Sequence, residues 1–255
     1  MAWSVATRVA GKAVTLPDRH RMAGQVAAPP VRLWWISVSS SGPHGPVFST
    51  SKEDKMSVST TLRDVIGLDR ELPRLSTATL VLIDFQNTYC EGVMALPGAD
   101  RALDAAARLL ERARAAGTPV VHVINDGGEG TPYDIRAEIG QIEPRVAARE
   151  GEAVVVKGFP NSFHETDLLE TLRKLDAGPD LVLAGFMTHM CVQFTAQGAF
   201  NLGYRPTVVA EACATRPLAA PGGEPISAEQ LHAAALTTIG DLFGLVAARV
   251  DDLPA

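Results

Sequence analysis

DLVLAGFMTHMCVQFTAQGAFNLGYRPTVVA, residues 180–210, carries the pattern that decides the fold class. DLVLAG (180–185) is a short apolar run of the kind found in strands buried on both faces. A helix is predicted from about His189 to Leu202, ending at Gly203, a residue that tolerates the left-handed C-terminal turn. PTVVA (206–210) then reads as the next strand. A strand, a helix and a strand in about thirty residues is a parallel βαβ unit.

The same alternation extends in both directions. Upstream, TLVLID (79–84), PVVHVI (119–124) and AVVVK (153–157) read as strands. Gly98 to Ala116 reads as a helix with Leu103, Ala106, Leu110 and Ala113 on one face, closed by Gly117. Thr166 is the expected cap of a helix carrying Leu168, Leu169, Leu172 and Leu175. Downstream, Ser227 and Gln230 form a capping box before Leu231, Ala235 and Ile239, and FGLVAA (243–248) is the sixth strand. The expected fold is α/β: three layers, α/β/α, around a six-stranded, mainly parallel, Rossmann-like sheet.

Composition narrows the function. The 255 residues are 46% hydrophobic and 20% charged, enough apolar material for a packed core. A net charge of -6 argues against a nucleic-acid binder, and the apolar runs are too short to span a bilayer. Three cysteines, Cys90, Cys191 and Cys213, make no disulfide framework and suit a reducing cytoplasm. Residues 1–55 differ from the rest. They hold all three tryptophans (Trp3, Trp34, Trp35) and a charge of +4, against -10 for the remainder. The division expected is a disordered or loosely attached extension over 1–55 and one domain over 56–255.

Ligands of such sheets bind beyond the carboxyl ends of the strands. Asp84 ends the first strand, Lys157 ends the third, and Cys191 follows the fourth at the start of a helix. Singly, each has an ordinary reading: a turn-forming aspartate, a solvated lysine, a small buried thiol. Together they suit nucleophilic catalysis. A helix N-terminus and a nearby ammonium are expected to lower the thiol pKa. The carboxylate can carry the thiol proton to a leaving amine, and backbone N–H groups of the turn can hold an oxyanion.

VLIDFQNTY (81–89), VVKGFPNSFHETDL (155–168) and AGFMTHMCVQFTAQGAFNLGYRPTVVAEACAT (184–215) resemble the three blocks of the isochorismatase-like cysteine hydrolases, in the family's order. The resemblance runs from about Thr79 to Val250 and is most specific in G-x-x-T-x-x-C-V, Gly185 to Val192. It implies that Asp84, Lys157 and Cys191 are a catalytic triad. It also implies a cis peptide between Phe186 and Met187, with the N–H groups of Met187 and Cys191 forming the oxyanion hole. Gln86, Tyr133, Asn161, Phe163, Thr188 and His189 fall in segments expected to line the substrate pocket. His232 is expected to serve packing, and Cys90 and Cys213 to be bystanders.

Departures from subfamily patterns refine the expectation. VINDGGEGTPYDI (123–135) lacks the histidines of the nicotinamidase D-x-H metal site, so no metal and no cofactor are expected, and Asp126 is read as a turn former. Isochorismatases proper usually carry glycine where Cys191 stands. The thiol therefore favours hydrolysis of a C–N bond, with another small-amide or carbamoyl hydrolase, or a vinyl-ether hydrolase, as the alternatives. EGVMALPG (91–98), TPYDIRAEIG (131–140) and GFMTHMCV (185–192) look most like the streptothricin-hydrolysing branch, which opens the streptolidine lactam of those antibiotics. The expected partner is thus a small, cationic amide, and the family resemblance implies a homodimer or higher homo-oligomer.

Overall fold

The structure, a computed structural model, describes residues 58–255. The expectations for residues 1–55, including the three tryptophans, lie outside the described residues.

Six strands form one sheet: β1 (Thr79–Ile83), β2 (Val120–Asn125), β3 (Ala153–Lys157), β4 (Asp180–Phe186), β5 (Arg205–Ala214) and a last strand, Leu245–Ala247. Their spatial order is β3-β2-β1-β4-β5 and then the last strand, and all five pairings are parallel. From β1 the chain winds outward through β2 to β3, then returns to β4 on the other side of β1. The direction of winding therefore reverses between β1 and β4. Such a switch point leaves a crevice at the carboxyl ends of the two strands.

Both faces of the sheet are covered, giving the three-layer α/β/α arrangement. The helix α2 (Ala99–Ala115), preceded in the chain by the single-turn α1 (Leu62–Val65), packs Leu103, Ala106, Leu110 and Ala113 on one face. The other face takes Leu168 and Leu172 of α3 (Leu168–Lys174) and Ala196 and Ala199 of α4 (Gln193–Asn201). Ile239, just after α5 (Ala228–Thr238), joins that second cluster. β1 is buried along its whole length, which is why TLVLI carries no alternation. β3 is an edge strand, and its Val154 and Val156 are exposed. A two-stranded hairpin, β6 (Leu218–Ala219) with β7 (Pro225–Ile226), precedes α5, and the strand Leu245–Ala247 is therefore β8. Among the described residues no helix is long and apolar enough to cross a membrane.

Three local expectations are corrected. β5 runs to Ala214 rather than stopping at 210, because Glu211, which interrupts the apolar run, is accommodated by accepting the Val250 N–H and pairing with Arg108. The segment after β4 opens as a π turn, Thr188–Val192, before α4 begins at Gln193. Asp167, not Thr166, is the capping position of α3, although the Thr166 hydroxyl does accept the Leu168 N–H. The Ser227–Gln230 capping box is present as expected.

Gly185 is the tightest point of the sheet. Its φ is +148°, and a Cβ there would lie 2.0 Å from the Ile83 carbonyl oxygen. The β4–β5 register shifts at the same place, between Leu183 and Gly185. Backbone on a neighbouring strand cannot yield as a flexible side chain can. Gly185→Ala is expected to cost about 3 kcal/mol or more, a fall in Tm of about 6–12 °C. A variant melting within about a degree of the parent in differential scanning calorimetry would contradict this.

A buried polar cluster lies away from the crevice, on β2 and the turn before β3. His122, 2% exposed, shares a 3.0 Å contact with Glu152, whose carboxylate also pairs with Arg114. Burial lowers the His122 pKa. Burial opposes ionisation of Glu152, but hydrogen bonds from Arg114, the Arg149 N–H and His122 hold it at about 2. Both shifts mean that the unfolded chain binds more protons in acid. Stability is expected to decline once pH drops below the ordinary histidine value of 6.5, and again from 4.5 towards about 2. Glu152→Gln should flatten the second decline in a Tm-against-pH series, and an unchanged slope would contradict it.

Candidate active site

Asp84, Lys157 and Cys191 meet at the switch point. Asp84 is the first residue past β1 and holds a left-handed φ of 54°. Its N–H donates to Val123 O at 2.8 Å, and the next turn is closed by Gln86 N–H to Asp84 O at 2.8 Å. Non-glycine residues rarely adopt this conformation, and such strain persists where the surroundings over-determine it. Lys157 ends β3, two strands from β1, a separation of about 10 Å. Only a long side chain can cross β2 to close that gap. The Lys157 Nζ lies 2.7 Å from Asp84 Oδ2, 3.3 Å from Cys191 Sγ and 3.5 Å from Asn125 Oδ1. Cys191 sits in the π turn, after a cis Phe186–Met187 peptide, with Met187 O accepting the N–H groups of Met190 and Val192.

All three groups are buried: Asp84 is 0% exposed, Lys157 2% and Cys191 8%. The Asp84–Lys157 contact is a fully buried ion pair. The electrostatics correct the expectation of a lowered thiol pKa. Burial first, and then the Asp84 charge, push Cys191 up to about 12 against the pull of Lys157. Burial likewise raises Asp84, with Lys157 opposing. Lys157 is raised despite burial, because Asp84 and Cys191 both favour its charge. Burial and the Asp84 charge thus favour the protonated thiol at Cys191, next to the 2.7 Å Lys157–Asp84 contact. A second anion so close to Asp84 is disfavoured until something neutralises it.

The remaining candidate residues separate. Tyr133 is half-buried, its ring centroid 5.8 Å from that of Tyr89. The 126–140 loop that carries Tyr133 is wired by Asp134, which accepts the N–H groups of Gly130 and Arg136. Thr188 is fully buried, its hydroxyl 2.8 Å from His232 Nδ1, and His189 Nδ1 contacts the Thr215 hydroxyl. Gln86 has its amide committed to the scaffold: Nε2 donates to Asn125 O and Gly140 O, and Oε1 accepts the Asn125 N–H. Phe163, half-buried, stacks on Tyr204 at the margin of the α3–α4 cluster, and Asn161 Oδ1 accepts the Phe163 N–H. Asp126 has the turn role expected, accepting the Gly128 N–H and pairing with Arg136. Among the described residues no three histidine, cysteine or acidic side chains gather as a metal-ligand set.

Sequence reasoning passed over Tyr89, Asn125 and Arg216. Arg216 lies two residues beyond the true end of β5. It is half-buried, its Nε has no partner, and no carboxylate pairs with it among the described residues. Its nearest polar contact is Met94 Sδ at 3.9 Å, and its charge acts on His189 and Tyr133. A cavity of about 480 Å³ opens nearby between the first turns of α2 and α5, lined by Arg101, Cys213, Thr215 and His232 among others. It contains none of Asp84, Lys157 and Cys191, so it is a neighbour of the thiol site and not the site itself.

The sequence model of the isochorismatase domain matches residues 78–249. The chain belongs to the isochorismatase family. A crystal structure of an isochorismatase from Pseudomonas putida KT2440 superposes with a TM-score of 0.73 at 40% identity, covering 77% of this chain and 100% of that one. The secreted isochorismatase effector of Verticillium dahliae is 33% identical, over 75% of this chain and 98% of its own length. A streptothricin hydrolase of Streptomyces noursei is 36% identical, over 66% of this chain and 67% of its own. The family match spans β1 to β8, so it includes every strand end that contributes to the site.

A thiol near 12 leaves a kinetic signature in this family member. Alkylation of Cys191 by iodoacetamide should climb steadily from about pH 7 to about pH 10, since only the thiolate reacts. A plateau beginning below about pH 7 would instead reveal a resting thiolate.

Proposed function

We propose that this isochorismatase-family hydrolase is a metal-independent cysteine amidohydrolase that cleaves a C–N bond through a thioester on Cys191. The supporting observation is the Lys157 ammonium, which touches both Asp84 Oδ2 at 2.7 Å and Cys191 Sγ at 3.3 Å inside a buried site. In this reading Asp84 removes the Cys191 proton as sulfur attacks the carbonyl carbon. The N–H groups of Met187 and Cys191 hold the oxyanion. The C–N bond then breaks, and the nitrogen departs with the proton that Asp84 took from the thiol. Water attacks the thioester, Asp84 again accepting the proton, and the acid is released with the thiol restored. Lys157 stays protonated throughout and favours the ionised form of Asp84, to which the carboxyl returns after each proton transfer.

Cys191→Ala is expected to lower kcat by about 10⁴-fold or more, with Asp84→Asn and Lys157→Ala comparable and the double variants no worse, because the three act as one unit. Mass spectrometry of wild type with a slow amide should show an acyl adduct on Cys191. Full turnover by Cys191→Ala would return the reading to vinyl-ether hydrolysis, which needs Asp84 but no nucleophile. Chelators should leave activity unchanged, since Asp126 is already engaged by Gly128 and Arg136. Loss in chelator with recovery on adding a divalent ion would overturn metal independence.

For the substrate we propose the streptolidine lactam of streptothricin. The support is the 36% identity to a streptothricin hydrolase and the charge of -10 over residues 56–255, which favours encounter with a polycation. Streptothricin incubated with enzyme should gain one water in the lactam. A second reading, a small amide or carbamoyl compound bearing a carboxylate, is favoured by the unpaired Arg216. Arg216→Ala separates the two. It should raise KM for a carboxylate-bearing amide by about tenfold or more, the size of a lost charge-assisted hydrogen bond, and leave the lactam unaffected. An unchanged antibiotic would exclude the first substrate.

A further inference from the structure

Backbone N–H groups can hold an oxyanion only as accurately as the turn that carries them is held. Met187 and Cys191 share one such turn. Met187 O accepts the N–H groups of Met190 and Val192 at 3.0 and 3.3 Å. Thr188 O accepts the Gln193 N–H, the long reach that makes the turn π rather than α. These bonds set the shape of the turn. They do not set where it stands relative to Asp84 and Lys157.

Side chains supply that anchorage. Thr188 and His189, the first two residues of the turn, each reach a different element. The Thr188 hydroxyl lies 2.8 Å from His232 Nδ1 on α5, and His189 Nδ1 contacts the hydroxyl of Thr215, the residue after β5. The Thr188 contact is the more demanding of the two. Thr188 is 0% exposed, so solvent cannot stand in for His232, and a buried hydroxyl left without a partner is costly. The helix that carries His232 is built as a support more than as core. The Ser227–Gln230 capping box fixes its start, Ile239 is buried just past its end, and Ala235 is the one buried residue within it. His232 itself is half-buried and borders the cavity between α2 and α5, so part of its ring is left unpacked.

We propose that His232 is a positioning residue for the thiol site: its bond to Thr188 holds the π turn in place, and with it the Met187 N–H and the Cys191 sulfur. The proposal rests on the amidohydrolase reading and adds a residue outside the triad that governs the rate of the chemical step. His232 transfers no proton and forms no covalent bond. Without its ring the Thr188 hydroxyl must find another partner, and the start of the turn is released. Met187, one residue earlier, moves with it. A displacement of about 1 Å at the oxyanion donors is enough to slow turnover about a hundredfold. Contacts to the rest of the substrate are untouched, so the loss falls on kcat and not on KM.

The test uses the full-length enzyme with 4-nitroacetanilide and with streptothricin, each variant being followed below its Tm. His232→Leu removes the bond at similar volume, Thr188→Val removes it from the other side, and His232→Asn keeps a polar group near the place of Nδ1. His232→Leu and Thr188→Val are each expected to lower kcat about ten- to a hundredfold, with KM within about twofold of wild type. The double variant should be no slower than the slower single variant, since both remove the same bond. His232→Asn should keep kcat within about threefold of wild type. Losses that multiply in the double variant, an asparagine variant as slow as the leucine one, a loss expressed in KM, or a wild-type kcat accompanied only by a lower Tm would make His232 structural and overturn the proposal. Wild type that turns over neither amide and forms no acyl adduct on Cys191 would instead overturn the amidohydrolase reading beneath it.

Discussion

A single buried cation holds the crevice at the switch point together. Removing a lysine ammonium and an aspartate carboxylate from water costs several kcal/mol each, and their attraction offsets this only if both stay in contact. Lys157 achieves it by crossing the end of β2 to reach Asp84, with Asn125 Oδ1 and Cys191 Sγ near its remaining N–H groups. This fixes three strand ends relative to one another. β3 must be the strand beyond β2, β1 must end one residue before Asp84, and β4 must deliver the thiol to the opposite side of the pair. The parallel register of β2 with β3, Asn125 opposite Lys157, sets the lysine root at the right height. An edge strand with exposed Val154 and Val156 is a weak structural element, so the ion pair also anchors it.

The approach of β4 to β1 is the second constraint. Gly185 lets β4 come against Ile83 O, and the adjoining shift in β4–β5 register alters the direction in which β4 leaves the sheet. The chain can then turn through Met187 into the π turn that presents Cys191. A side chain at 185 would hold β4 away from β1 and the thiol away from Lys157, so the glycine belongs to the geometry of the Asp84, Lys157 and Cys191 cluster although it carries no functional group.

Much of this was legible in the sequence. Strand ends are visible where an apolar run stops at a polar residue, as at Asp84 and Lys157, and both residues fall where that reading expects. The signal fails where polarity appears inside a strand. Glu211 interrupts β5 with a partnered carboxylate, so the strand end is misread by four residues and Arg216 is lost as a neighbour of the site. Gln86 misleads for the opposite reason. It lies in a segment that borders the crevice, yet its amide is consumed by three backbone groups, two on Asn125 at the end of β2 and one on Gly140, a fact that belongs to the tertiary fold and not to local sequence. Tyr89 reads as core by type and by its 2% exposure.

The thiol shows most clearly why residue types alone mislead about chemistry. A cysteine at a helix start, next to a lysine, suggests a ready thiolate. That argument omits Asp84, which occupies the lysine's charge, and burial, which penalises a second anion. The resulting neutral thiol is not a defect for amide hydrolysis. From a tetrahedral adduct whose nitrogen is not protonated, thiolate departs more easily than the amide anion, since the better leaving group departs first. In the proposed mechanism, keeping the thiol protonated until the carbonyl arrives ties proton removal to sulfur attack. The proton then resides on Asp84, whose raised pKa makes it a stronger base than a surface aspartate. It is thereby placed to go to nitrogen rather than back to sulfur, and the direction of collapse is set by where Asp84 sits.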